Sequence, residues 1–137
     1  MDLCPVPSEQ IDRAWKDGAR CLAEACATSG GEITGDQLKM ILSRGERTLI
    51  CMREADITVG WGCVRVDQLP NLRVLHVTDL VAHNGGFERF FEALKHMAER
   101  LGCSRVRCAC KEAQARLYRM KCGFKPVYTT IEVEVDL

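Results

Sequence analysis

The last third of the chain constrains the fold most. Residues 73 to 81 read as a long strand, nearly all apolar on one face. Gly85-Gly86 interrupts the pattern, and residues 87 to 101 then place apolar side chains at helical spacing. Residues 104 to 110 return to strand character. A short helix carrying Leu117-Tyr118 follows, then Gly123-Phe124, then an alternating stretch from 127 to 135. Strands interleaved with helices in this order need a layered sheet rather than a bundle or a sandwich.

The first half fits the same sheet. Pro5 and Pro7 mark an irregular or edge-strand start. Ser8 is a candidate helix cap, and Ile11, Ala14, Trp15, Gly18, Leu22, Ala25 and Cys26 form one apolar stripe after it. Thr34 is a second cap, before a short helix with Leu38, Ile41 and Leu42 that stops near Gly45. Residues 48 to 53 and 57 to 66 read as an antiparallel hairpin about Glu54-Ala55-Asp56. Gly60 and Gly62 suggest a bulge or a close approach by another group. The expectation is an α/β (α+β mixed) architecture, a twisted mixed sheet with helices on both faces. With 137 residues and no repeat or linker, residues 1–137 are expected to form a single domain.

Composition removes some functions. Lys plus Arg and Asp plus Glu are each 19, so the formal net charge is zero and a general nucleic-acid binder is disfavoured. The late basic residues Arg105, Arg107, Lys111, Arg116, Arg119, Lys121 and Lys125 read as a solvated face. No apolar run is long enough to span a membrane and no secretory signal is visible, so a cytoplasmic protein is expected. The nine cysteines are scattered, lack Cys-x-x-Cys spacing, and fall mostly at apolar positions. Reduced core thiols are expected, with no metal.

The order of elements, with Gly85, Ala115, Leu117-Tyr118 and Gly123-Phe124, resembles the GNAT (N-acetyltransferase) superfamily along nearly the whole chain. Trp15, Gly45, Gly85-Gly86 and the Gly-Phe stretch are similar to small members from bacteriophages and prophages. The resemblance implies acetyl-coenzyme A as co-substrate and a small-molecule or protein amine as acceptor. It implies that the cofactor enters where the fourth strand splays from the fifth, against Leu80, Val81, Ala82, His83, Asn84, Gly85, Gly86 and Phe87. A backbone N–H at a bulge near Leu80 to Ala82 would polarise the thioester carbonyl. The family's loop pattern, Arg/Gln-x-x-Gly-x-Gly/Ala, falls on residues 82 to 87. Gly85 matches it, whereas Ala82 and Phe87 depart from it. Phe87 either obstructs the pyrophosphate or points into the core.

Tyr118 matches the family's thiolate acid only after a one-residue shift, because four residues separate it from Gly123. It is either that acid or an aromatic of the core or cleft wall. Base candidates are Asp79, His76 and His83. Strand alternation puts Asp79 with Val77 on one face and His76 with Thr78 on the other. His96 reads as a surface residue, and Cys122 is the best of a weak set of nucleophiles. The resemblance also implies a homodimer through the final strand. Two further readings stay open: a GNAT-fold binding protein without catalysis, and a DNA-modifying or anti-defence protein.

Overall fold

The structure, a computed structural model, describes residues 1–27, 29–83 and 87–137. Five strands form one sheet in the order β1 (Asp2–Val6), β2 (Thr48–Glu54), β3 (Ile57–Gln68), β4 (Arg73–Ala82), β5 (Arg105–Cys108). The first four are antiparallel and β5 is parallel to β4, as a strand–helix–strand crossover requires. Pro5 lies on the edge strand β1, where a missing N–H does least harm.

Helices cover both faces. The helices α1 (Ile11–Lys16), α2 (Leu22–Cys26) and α3 (Gly35–Ser43) pack against one. The helices α4 (Glu88–Arg100) and α5 (Glu112–Cys122) lie on the other. Strand alternation feeds both cores: Ile50 and Met52 face α4, whereas Leu49 and Cys51 face α1 to α3. The helix α4 buries Phe90, Leu94, Met97 and Ala98, one stripe at i, i+4, i+7 and i+8. Phe90 is fully buried, and burying such a side chain contributes about 1.5–3 kcal/mol.

Two sequence expectations about the N-terminal helix need correction. Ser8 does not cap: its hydroxyl reaches only Glu9 Oε2, at 3.5 Å. The stripe from Ile11 to Cys26 is broken at Gly18, whose φ is +135°. A Cβ there would lie 3.3 Å from Trp61 Nε1, so the indole crosses where the helix breaks. Thr34 does cap α3. It accepts from the Gln37 N–H at 3.2 Å, and the Gln37 side chain accepts from the Thr34 N–H at 2.9 Å.

The C-terminal stretch departs furthest from expectation. Residues 123–137 contain no helix or strand. Ile131 and Val133 are 88% and 86% exposed. Their alternation sets which side chains share a face, but no neighbouring strand is there to pair with.

Candidate functional site

The strands β4 and β5 run paired from Val74↔Arg105 to Val77↔Cys108 and then part. The strand β4 continues along β3 as far as Ala82, opposite Gly60, while β5 stops at Cys108. A cleft of about 470 Å³ opens between them. It is lined by residues 77–82, by Phe87, Cys108 and Cys110, by Gln114 and Tyr118 of α5, and by Glu24 of α2. Past Cys108 the side of β4 that faced β5 has no strand partner among the described residues. Its backbone groups are available to an extended ligand.

The approach of β3 to this rim needs glycine. A Cβ on Gly60 would lie 2.7 Å from the Val81 carbonyl oxygen, and one on Gly62 2.9 Å from Met52 Cε. The expected close approach is therefore present. A register shift between Met52 and Arg53 adds a bulge opposite them, at Val59.

A second bulge decides the electrostatics. Cys63 pairs with Asp79 and Val64 with Val77, leaving Thr78 as the extra residue in β4. This bulge falls earlier than the expected 80 to 82. It also overturns the alternation argument, because an extra residue reverses the faces beyond it. Val77 packs with the α4 core, whereas Asp79 turns toward α1 to α3 beside its partner Cys63. There its carboxylate, with a side chain only 8% exposed, meets Arg47 Nη1 at 3.4 Å. It also accepts from the Thr78 hydroxyl at 2.8 Å. Arg47 stands 32 residues earlier, and nothing local in the sequence announces the pair.

Tyr118 stands as an aromatic between the core and the cleft wall. Its ring stacks against Phe87 at 4.5 Å and Phe124 at 5.9 Å, and it lines the cleft. Burial pushes its phenol up to about 12, with Cys108, Cys110 and Cys122 adding to the effect. The group therefore stays protonated at any ordinary pH. The Gly-Phe pair has a mechanical reason. Gly123 takes φ +72° and its N–H bonds the Tyr118 carbonyl, which closes α5 and turns Phe124 back onto the ring cluster.

Phe87 is 5% exposed and points into that cluster rather than outward. Leu80 and Ala82 lean on the α4 core and Val81 on the opposite one. Asn84, Gly85 and Gly86 lie outside the described residues. In the first turn of α4 the partly exposed carboxyl of Glu88 is held below its usual range, chiefly by its own backbone N–H and then by Lys121 at 3.2 Å.

Among the base candidates, only Asp79 lines the cleft. His83 is exposed, with its backbone N–H bonded to the Val59 carbonyl at 2.7 Å. His76 is half-buried between Arg65 and Arg107 of the neighbouring strands. Burial, then Arg65, lowers its pKa. His96 sits on the surface beside Glu99, 3.7 Å away. Glu24 is the carboxylate that sequence reasoning missed. It is exposed at the cleft mouth, with no basic partner among the described residues. Its position comes from α2 folding against β4, which no local pattern reveals.

All nine cysteines are thiols. Burial pushes Cys108 up to about 12, with Cys110 and Cys122 adding to it. Cys122 is raised too, by burial first and then by Glu88. Neither thiol is set up as a thiolate nucleophile. Among the described residues no cluster of His, Cys, Asp or Glu forms a metal-binding group. None of their helices is long and apolar enough to cross a membrane. The late basic residues are partly neutralised, Arg119 by Glu112 at 3.2 Å and Lys121 by Glu88.

No family model and no curated protein matches the sequence. Solved structures match over nearly the full length. An aminoglycoside acetyltransferase from an uncultured soil metagenomic sample is 11% identical, with 98% of this chain and 96% of that one covered and a TM-score of 0.67. A ribosomal-protein-alanine N-acetyltransferase from Brucella melitensis biovar Abortus 2308 is 12% identical, covering 98% and 100%, with a TM-score of 0.66. Glucosamine-6-phosphate N-acetyltransferase from Arabidopsis thaliana is 18% identical, covering 98% and 98%, with a TM-score of 0.62. The shared property at these identities is the fold.

Proposed function

We propose that this chain, which has the fold of the GNAT acetyltransferases, transfers an acyl group from acetyl-coenzyme A to an amine. The observation that supports this best is the parting of β4 and β5 beyond Val77 and Cys108, with Tyr118 in its wall. A cleft beside an unpaired strand margin suits an extended amide-bearing arm, because the arm can bond backbone groups as a strand would. Residues 78–82 of β4 would hold that arm, and the start of α4 would face the pyrophosphate. The cofactor supplies an activated acyl group on a thiol leaving group.

The chain's own groups divide the rest of the work. A backbone N–H of β4 near the Thr78 bulge would donate to a developing oxyanion. The Tyr118 phenol keeps its proton and donates it, or a hydrogen bond, to sulfur. Asp79, held by Arg47 and Thr78, positions the bulge rather than accepting a proton. Glu24 is the better base, because its carboxylate is open to an incoming ammonium.

Isothermal titration of the reduced protein with acetyl-coenzyme A, and separately with coenzyme A, tests the reading. Micromolar binding is expected, followed by thiol release with a panel of small-molecule and protein amines. Replacing Gly85 by a bulky residue is expected to abolish binding and leave the fold intact. Absence of binding at millimolar ligand would sink the proposal. A second reading, a binding protein without turnover, draws on Glu88 at the start of α4 and on the departures at Ala82 and Phe87. It predicts no thiol release with any amine.

A further inference from the structure

Two cysteines face each other at the end of the sheet opposite β5. The strand β1 pairs with β2 alone, and Cys4 stands directly across from Cys51. Directly opposed residues of antiparallel strands project to the same face. Val6 and Cys51 pack with the α1 to α3 core, whereas Leu3 packs with the α4 core. By the two-residue period of β1, Cys4 shares the face of Val6, and so of Cys51. Both thiols are half-buried, which leaves them within reach of a small molecule. Among the described residues no other two cysteines are cross-strand partners.

The spacing suits a disulfide. Directly opposed antiparallel residues have Cα atoms about 4.5 or 5.5 Å apart, depending on their place in the hydrogen-bond ladder. Both values lie inside the range of roughly 4.4–6.8 Å that disulfides span. Their Cβ atoms start about 4.5–5.5 Å apart, and a disulfide draws them to roughly 3.5–4.5 Å. An edge strand can make that small inward shift, because among the described residues no strand is paired along its other side. Cys51 also has a donor for its thiolate, since the Thr58 hydroxyl lies 3.6 Å from its Sγ.

We propose that Cys4 and Cys51 form a reversible cross-strand disulfide by exchange with a small-molecule disulfide. The Cys51 thiolate attacks one sulfur of that disulfide and expels the other as a thiolate. The Cys4 thiolate then attacks the Cys51 sulfur, forms the protein disulfide and expels the second small thiolate. The two electrons lost by the protein thiols are those gained by the reagent, and the two thiol protons pass to the expelled thiolates. The link closes residues 4–51 into a loop that carries α1, α2 and α3. Closing a loop of that length restricts the unfolded chain, so the oxidised form is the more stable one. A reducing milieu returns the open dithiol.

Equilibration of the folded protein in mixtures of oxidised and reduced glutathione, followed by alkylation, intact mass and proteolytic mapping, tests this. Oxidation is expected to protect two of the nine thiols and to link the segments that hold Cys4 and Cys51. The urea midpoint is expected to rise by about 1 M or more and to return with reductant. Cys4→Ser and Cys51→Ser should each lose both the link and the shift, with circular dichroism checking the reduced fold. In each variant the remaining thiol of the pair should hold glutathione as a mixed disulfide. The wild-type map decides the matter even where a variant misfolds. A link that joins other thiols, such as Cys108 and Cys110, while Cys4 and Cys51 remain alkylated overturns the proposal. So does a pair that stays reduced in the most oxidising mixture. A linked protein that unfolds at the same urea concentration or lower also overturns it, because the bond would then strain the β1–β2 register.

Discussion

Along its inner margin β5 pairs with β4 for four residues and leaves it, and the polar groups at that parting are held: Asp79 by Arg47 and Thr78, the ring of Tyr118 by Phe87 and Phe124. Along its outer margin β5 has no strand partner and Arg107 meets no carboxylate among the described residues, and a run of apolar side chains stands in water. Among the described residues no buried side-chain nitrogen or oxygen lacks a hydrogen bond, so the side chains at the inner margin are satisfied within one chain while the β4 backbone beyond Cys108 stays open. Side chains already held suit a small ligand, because their ordering costs are met before binding. The outer margin instead leaves apolar side chains uncovered among the described residues.

The sharpest way to break this contrast is to unpair the inner margin. In Asp79→Ala the guanidinium of Arg47, 20% exposed, loses its acid. Removing one partner of a largely buried pair costs about 3 kcal/mol. Urea unfolding would read the loss. Asp79→Asn keeps the shape and separates two roles. If Asp79 positions the bulge, turnover falls with stability; if it is the base, turnover vanishes while the fold stays near wild type. An unchanged midpoint in both variants would show that the inner margin is not held together as described.

Most of the fold was legible because its elements are locally specified. The capping box at Thr34 and Gln37, the stripe of α4 and the two-faced alternation of β2 each follow from neighbours in sequence. The parts that were not legible depend on distant partners. The bulge at Thr78 is a register relation between two strands, and it alone turns Asp79 away from Val77. Arg47 and Glu24 reach the site from other elements. The stripe through Gly18 kept its period across a break where Trp61 lies against the chain. The tail carried a strand's pattern, but pattern sets which residues share a face and not whether a neighbour exists.

Tyr118→Phe probes the cleft wall more gently, since the ring and its stacking remain. If the phenol donates to the departing sulfur, kcat falls about a hundredfold with little change in cofactor affinity. With the phenol pushed up to about 12, no alkaline fall in rate below pH 10 should come from this group. Equal kcat in the variant would leave Tyr118 as an aromatic wall only.

A smaller effect is expected at the start of α4. The Glu88 carboxylate sits where the helix offers its N–H donors, and its pKa is lowered by that contact and by Lys121. An anionic ligand must displace or tolerate it. Glu88→Gln should tighten coenzyme A binding roughly two- to fivefold, more at low salt. Weaker binding in the variant would mean that Glu88 aids the ligand instead of competing with it.

The smallest effect joins the two margins through His76, which lies between Arg65 on β3 and Arg107 on β5. Burial lowers its pKa most, followed by Arg65. Arg47 and Arg107 push the same way, and Asp67 opposes them. Because the folded value lies below the unfolded one, the unfolded chain binds more protons in between. Stability should therefore be unaffected above about pH 6.5 and should fall as pH drops below it. His76→Gln should remove that part of the acid slope.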